Sequence, residues 1–175
     1  MIYSDSDLSK INSRKIYFDA NILIYLFFST GQYNSENKYG KLFKNLRKLN
    51  FNVVVDVIAI SEFVNVAFKY YFNEYKIFHN GIKFKEFRGC QEGIKSAKEI
   101  NVIVNEKILK YFELINSSYS KQELTDCLEM YTLDFNDKLI YKSCINNNFV
   151  LLTDDKDFVN YDLDILTLNS KIIGK

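Results

Sequence analysis

Short, apolar, β-prone runs alternate with stretches of helical periodicity along this chain, and that alternation restricts its fold more than any other feature. Lys15-Ile16-Tyr17-Phe18 reads as a buried strand that stops abruptly at Asp19, and Ala20 to Phe28 as a short apolar helix. From Ser35 to Leu49, apolar residues at Tyr39, Leu42, Phe43, Leu46 and Leu49 recur with the spacing of one helix face. Asn52 to Val55 is a second strand. Val57 to Phe72, apolar nearly all round, is expected to be a buried helix. Ala97 to Ile115, Lys121 to Met130 and Phe135 to Asn146 read as helices, Phe149 to Leu152 as a strand, Lys156 to Val159 as a helical turn and Ile165 to Leu168 as a last strand. Strands separated by helices pair in parallel through crossovers, which predicts an α/β fold: a three-layer α/β/α arrangement with a central, mostly parallel sheet.

A length of 175 residues suits a single domain spanning 1–175, and a chain of that size buries about 70% of its unfolded surface. With 47% hydrophobic residues, the core needs no disulfide support. Proline is absent, so Gly, Asn, Asp and Ser must set the element ends. The stretch 73–120 is expected to be a helical elaboration of the domain. The segment Asn73 to Gly93, rich in aromatic and basic residues and broken by Gly81, Gly89 and Gly93, follows no clear period.

Charge and cysteine content exclude several functions. With 23 basic against 22 acidic residues, the chain lacks the excess of charge that a bulk polynucleotide binder uses. Cys90, Cys127 and Cys144 are far apart and odd in number, and His79 is the only histidine. That argues against a structural zinc site and a disulfide framework. The polar Met1–Lys10 segment, with Asp5 and Asp7, is unlike a signal peptide, and the longest apolar run, Ile22 to Phe28, is too short to span a bilayer. A cytoplasmic protein with no membrane association is expected.

The informative residues are carboxylates where the pattern calls for apolar groups. Asp19 is the only charged residue between Ile16 and Ser35 and ends a hydrophobic strand, the edge at which parallel sheets form ligand crevices. A plain N-cap, worth about 1 kcal/mol, is the structural alternative. Glu62 is the only acid between Val57 and Phe72, and a buried carboxylate needs a cation or hydrogen bonds; Lys69, seven residues on, is too far for an ordinary helix pair. Alternatively, Glu62 emerges at the solvent edge of its helix. Asp134 and Asp137 have the spacing of an N-cap and its N3 partner, and N3 can also point into a crevice. Asp154, Asp155 and Asp157 cluster just past a strand; Asp154 reads as a simple surface residue. A parallel sheet brings these points to one edge, and hard oxygen ligands without nearby His or Cys favour Mg²⁺ or Mn²⁺ over zinc.

Four segments resemble the motifs of PIN-domain nucleases, the fold of VapC-type toxins and of several RNA-processing enzymes. They are Phe18-Asp19-Ala20-Asn21-Ile22-Leu23-Ile24-Tyr25, Ile60-Ser61-Glu62-Phe63, Phe135-Asn136-Asp137-Lys138-Leu139-Ile140 and Leu152-Thr153-Asp154-Asp155-Lys156-Asp157-Phe158. Their order agrees from Lys15 to Leu168, whereas Asn73 to Ser120 matches nothing in the family pattern. The resemblance implies a PIN-like sheet and a Mg²⁺- or Mn²⁺-dependent endoribonuclease leaving 5′-phosphate and 3′-hydroxyl ends. It implies Asp19, Glu62, Asp137 and Asp155 as the metal-binding acids, with Asn21, Thr153, Asp157 and Asp134 in supporting places. It also implies an RNA substrate, an antitoxin protein if the chain is the toxin of a toxin–antitoxin pair, and a homodimer. An RNA-maturation nuclease and a non-catalytic RNA-binding or scaffold PIN domain are the alternatives. A receiver or haloacid-dehalogenase domain is a further one: Asp19-Ala20-Asn21 lacks the second aspartate of the latter, and Asp56 is the only candidate phospho-acceptor of the former.

Two segments could grip a polynucleotide. Lys41, Lys44, Arg47 and Lys48 share one helix, where a solvated face explains them as well. Tyr75, Lys76, Phe78, Lys83, Phe84, Lys85, Phe87 and Arg88 interleave bases with aromatics, as a single-strand platform does and as a folded insertion also would.

Overall fold

The computed structural model describes residues 1–11, 13–28 and 31–173. The strands are β1 (Ile2–Tyr3), β2 (Ile16–Phe18), β3 (Val53–Val55), β4 (Glu113–Leu114), β5 (Val150–Leu152) and β6 (Ile165–Leu166). The helices are α1 (Ala20–Phe27), α2 (Tyr33–Lys48), α3 (Val57–Phe78), α4 (Phe84–Gly89), α5 (Gln91–Ile103), α6 (Leu109–Tyr111), α7 (Lys121–Leu128), α8 (Phe135–Asn147) and α9 (Ser170–Ile173). The strands form one sheet in the order β1-β6-β5-β2-β3-β4, and every pairing is parallel. The architecture is the expected three-layer α/β/α with a central parallel sheet.

Every residue of β2, β3 and β5 is buried, as strands covered by helices on both faces must be. Ile16 pairs with Val53 on one side and Val150 on the other, which puts β2 at the middle of the sheet. From β2 the chain runs outward to β3 and β4, and β5, β6 and β1 lie on the opposite side. The carboxyl ends of β2 and β5 therefore border a topological switch point, where such sheets open a crevice.

Tertiary contacts override several sequence expectations. The polar N-terminus supplies an extra strand, β1, because Ile165 N–H donates to the Met1 carbonyl and Thr167 N–H to that of Tyr3. Helix α3 extends six residues past Phe72, and it is only half buried: Ala59, Phe63 and Ala67 face the core, whereas Val57 and Val66 are exposed. The helix expected from Ala97 to Ile115 begins at Gln91, loosens into a π turn at Val104–Ile108 and ends at Tyr111. Phe112 is buried against Phe18 and Phe43, with ring centroids 4.9 and 5.5 Å away, and this contact returns the chain to the sheet as β4. The aromatics between Tyr75 and Arg88 mostly pack on one another. Phe87 is buried, Phe84 meets Phe72 at 5.2 Å, and Tyr75 stacks on His79 at 3.8 Å. Among the described residues, no helix is long and apolar enough to cross a membrane.

Candidate active site

Asp19 stands where β2 turns directly into α1. It occupies the N-cap position, yet its side chain makes no capping hydrogen bond. Its Oδ2 instead accepts from the Thr153 hydroxyl at 2.6 Å and from Asn21 Nδ2 at 2.8 Å. Its Oδ1 accepts from no side chain among the described residues, although Asp19 is only 5% exposed. The capping alternative thus does not account for Asp19. By contrast, Asp56 is a true cap, 2% exposed, accepting from Ile58 N–H, Ala59 N–H, the Tyr17 hydroxyl and the Ser117 hydroxyl. A phospho-acceptor needs exposure that Asp56 lacks.

The loop after β5 is held by successive side-chain turns of the kind that short polar residues form. Asp155 N–H donates to Thr153 Oγ1 and Asp157 N–H donates to Asp155 Oδ1, each at 3.0 Å. Asp154 is not the simple surface residue expected. It accepts from the Tyr39 hydroxyl at 2.6 Å and the Tyr25 hydroxyl at 3.2 Å, and its carbonyl accepts from Asn169 Nδ2 at 2.9 Å. Those tyrosine rings stack 5.6 Å apart, so Asp154 pins the loop to α1 and α2.

Glu62 lies in the second turn of α3, and its Oε1 accepts from Asn136 Nδ2 at 2.7 Å. Asp134 caps α8, accepting from Asp137 N–H at 3.0 Å, so the N-cap and N3 spacing holds. Strands β2 and β5 end, and helices α1, α3 and α8 begin, around one site. Asp19, Asn21, Glu62, Asp134, Asp137 and Asp155 line one cleft of about 500 Å³. Thr153 is fully buried behind it, and Asp157 faces an adjoining depression shared with Asn21, Tyr25 and Asp155.

The cleft is electrostatically stressed. Burial pushes the Asp19 carboxyl up to about 6, aided by the Glu62 and Asp155 charges and opposed by the Thr153 hydroxyl. Asp137 is pushed up to about 8, first by burial and then by the charges of Asp134, Asp19, Glu62 and Asp155. Burial also raises Glu62, against the pull of the Asn136 amide. Among the described residues no lysine, arginine or histidine pairs with any of the four acids Asp19, Glu62, Asp137 and Asp155.

Among the described residues no three His, Cys, Asp or Glu side chains are grouped tightly enough to hold a metal ion as they stand. The carboxylates frame an open space and do not close into a cage. Their donor chemistry nevertheless fits a hard divalent cation, which would supply the missing counter-charge.

Sequence reasoning missed Asn136, Asn65, Tyr25 and Gln32 in the cleft wall, and it discounted Lys69, which also lines the cleft. Lys69 lies two helical turns beyond Glu62, so the shared face was legible even though the pair is too distant for a direct contact. Asn136 carried no signal, because its partner lies 74 residues away.

No curated protein matches this chain. Among solved structures, it is similar to VapBC2 from Rickettsia felis, bound to a DNA fragment from their promoter. That likeness has 17% sequence identity and a TM-score of 0.52, covering 87% of this chain and 96% of the other, and it shows a shared fold. The model of the PIN domain matches residues 16–163, from the first residue of β2 to beyond the Asp155 loop, and this span takes in every acid of the cleft. The chain belongs to the PIN-domain family.

Proposed function

We propose that the chain is a Mg²⁺- or Mn²⁺-dependent endoribonuclease that hydrolyses RNA phosphodiester bonds in this cleft, with Asp19, Glu62, Asp137 and Asp155 as its metal-binding and catalytic acids. One observation carries the reading: four carboxylates remote in sequence line a single cleft at the carboxyl edge of a parallel sheet, and none of the four is ion-paired among the described residues. Held by these acids, a divalent ion would supply a water of lowered pKa and a counter-charge for the scissile phosphate.

The protein's own groups prepare that chemistry. Thr153 and Asn21 fix the Asp19 carboxylate through Oδ2 and leave Oδ1 available as a ligand. Asn136 orients Glu62 in the same way. Asp137, with a pKa of about 8, holds a proton at neutral pH and would release it on serving as a ligand. Lys69 offers the cleft a positive charge for a backbone phosphate. Asp134 holds the start of α8 by its cap, and Asp157 steadies Asp155 through its amide.

We propose further that the chain is the toxin of a toxin–antitoxin pair, acting in the cytoplasm, with an antitoxin protein as partner and a homodimer as the working form. We read residues 1–175 as one PIN-like domain, with 73–120 as its elaboration. The test is cleavage of single-stranded RNA by purified protein in Mn²⁺ and in EDTA. Metal-dependent cleavage that vanishes in Asp155→Asn supports the proposal. RNA binding without cleavage in any metal would make the chain a non-catalytic RNA-binding domain, and a neighbouring gene other than an antitoxin would favour RNA maturation.

A further inference from the structure

A second pocket, of about 260 Å³, opens between α3, α4 and α5. Phe68 and Phe84, edge to face at 5.8 Å, form part of its wall, and Arg88, Asn65 and Asn101 also line it. None of these three polar side chains has an ion-pair or hydrogen-bond partner among the described residues. Asn65 lines this pocket and the carboxylate cleft alike, so the two share a wall.

Aromatic surface, two free carboxamides and one guanidinium make an unusual combination. An apolar side chain of a protein partner would leave the carboxamides unpaired, which is costly once water is excluded. An acidic peptide would satisfy Arg88 and waste the rings. A nucleobase matches both: every base has a π face for stacking, and its edge carries the donors and acceptors that a carboxamide pairs with.

We propose that this pocket receives one unpaired base of the RNA, close to the scissile phosphate. Phe84 stacks on the base, Asn65 and Asn101 read its edge, and Arg88 holds it by its ring or its adjoining phosphate. The proposal rests on the ribonuclease reading of the cleft. It assigns substrate choice to the α4–α5 segment and the face of α3 that it packs against.

The experiment uses the full chain with short labelled homopolymers of A, C, G and U. Binding is read by fluorescence anisotropy in EDTA, and cleavage in Mn²⁺. The expected result is a preference for one homopolymer that Phe84→Ala weakens about tenfold. Asn101→Ala and Arg88→Gln, both at exposed positions, should narrow the preference with the melting temperature unchanged. These two variants carry the test should Phe84→Ala fail to fold. Variants that bind and cleave all four homopolymers as the wild type does would overturn the pocket and leave the ribonuclease standing. A wild type that neither binds nor cleaves any RNA would overturn both.

Discussion

Replacing Asp19 by Asn isolates the cost of keeping a charge in the cleft. The residue is 5% exposed, and its carboxyl is raised from an ordinary 3.8 to about 6. That difference corresponds to about 3 kcal/mol between the charged and neutral forms. Below pH about 4 the folded and unfolded chains both hold the proton, and the group costs nothing. Between about 4 and 6 the unfolded chain releases its proton first, so stability falls as pH rises, and above about 6 the full amount is lost. Asparagine keeps an oxygen for the Thr153 hydroxyl and carries no charge. At pH 7 in EDTA the variant should therefore melt higher than the wild type, by roughly 6–12 °C for a chain of this size. The gap should close near pH 3.5, about where both forms are neutral. In Mn²⁺ at a hundredfold excess over Kd the wild type should gain about 2.7 kcal/mol, with the variant gaining little and cleaving no RNA. Circular dichroism melts across pH, with and without Mn²⁺, make the measurement. Equal melting temperatures at pH 7 in EDTA, or equal stabilisation of both proteins by Mn²⁺, would refute the argument.

Two further perturbations test other parts of the site. Mn²⁺ affinity, followed by calorimetry, should rise steadily from pH 6 to 8 as Asp137, with its pKa of about 8, gives up its proton; an affinity flat across that interval would remove Asp137 from the ligand set. Asp154→Ala strips the acceptor from the Tyr25 and Tyr39 hydroxyls. It should cost about 2 kcal/mol in denaturant unfolding and slow cleavage by up to about a hundredfold through displacement of Asp155; full activity would show that this anchor does not position the loop.

How much of this was legible beforehand differs from residue to residue. Asp19 could be read because it directly follows a wholly apolar strand, and Asp155 because three acids crowd the loop just past another such strand. Glu62 stood out as the only acid between Val57 and Phe72 in α3. Asp154 was misread because acids after strands usually face water, and nothing local announces two tyrosine hydroxyls supplied by α1 and α2. Strand β1 was missed because two residues carry no periodicity; its partner, β6, lies at the far end of the chain.

By itself, the order of apolar runs determined the parallel α/β arrangement, since period and crossover length are local properties of the chain. It also determined which carboxylates stand out of pattern. Only the tertiary structure decided that these groups share a cleft, that Asn136 and Lys69 join them, and that a second pocket opens beside them through Asn65. Those are contacts between elements far apart in sequence, and their geometry comes from packing, to which no single segment holds the key.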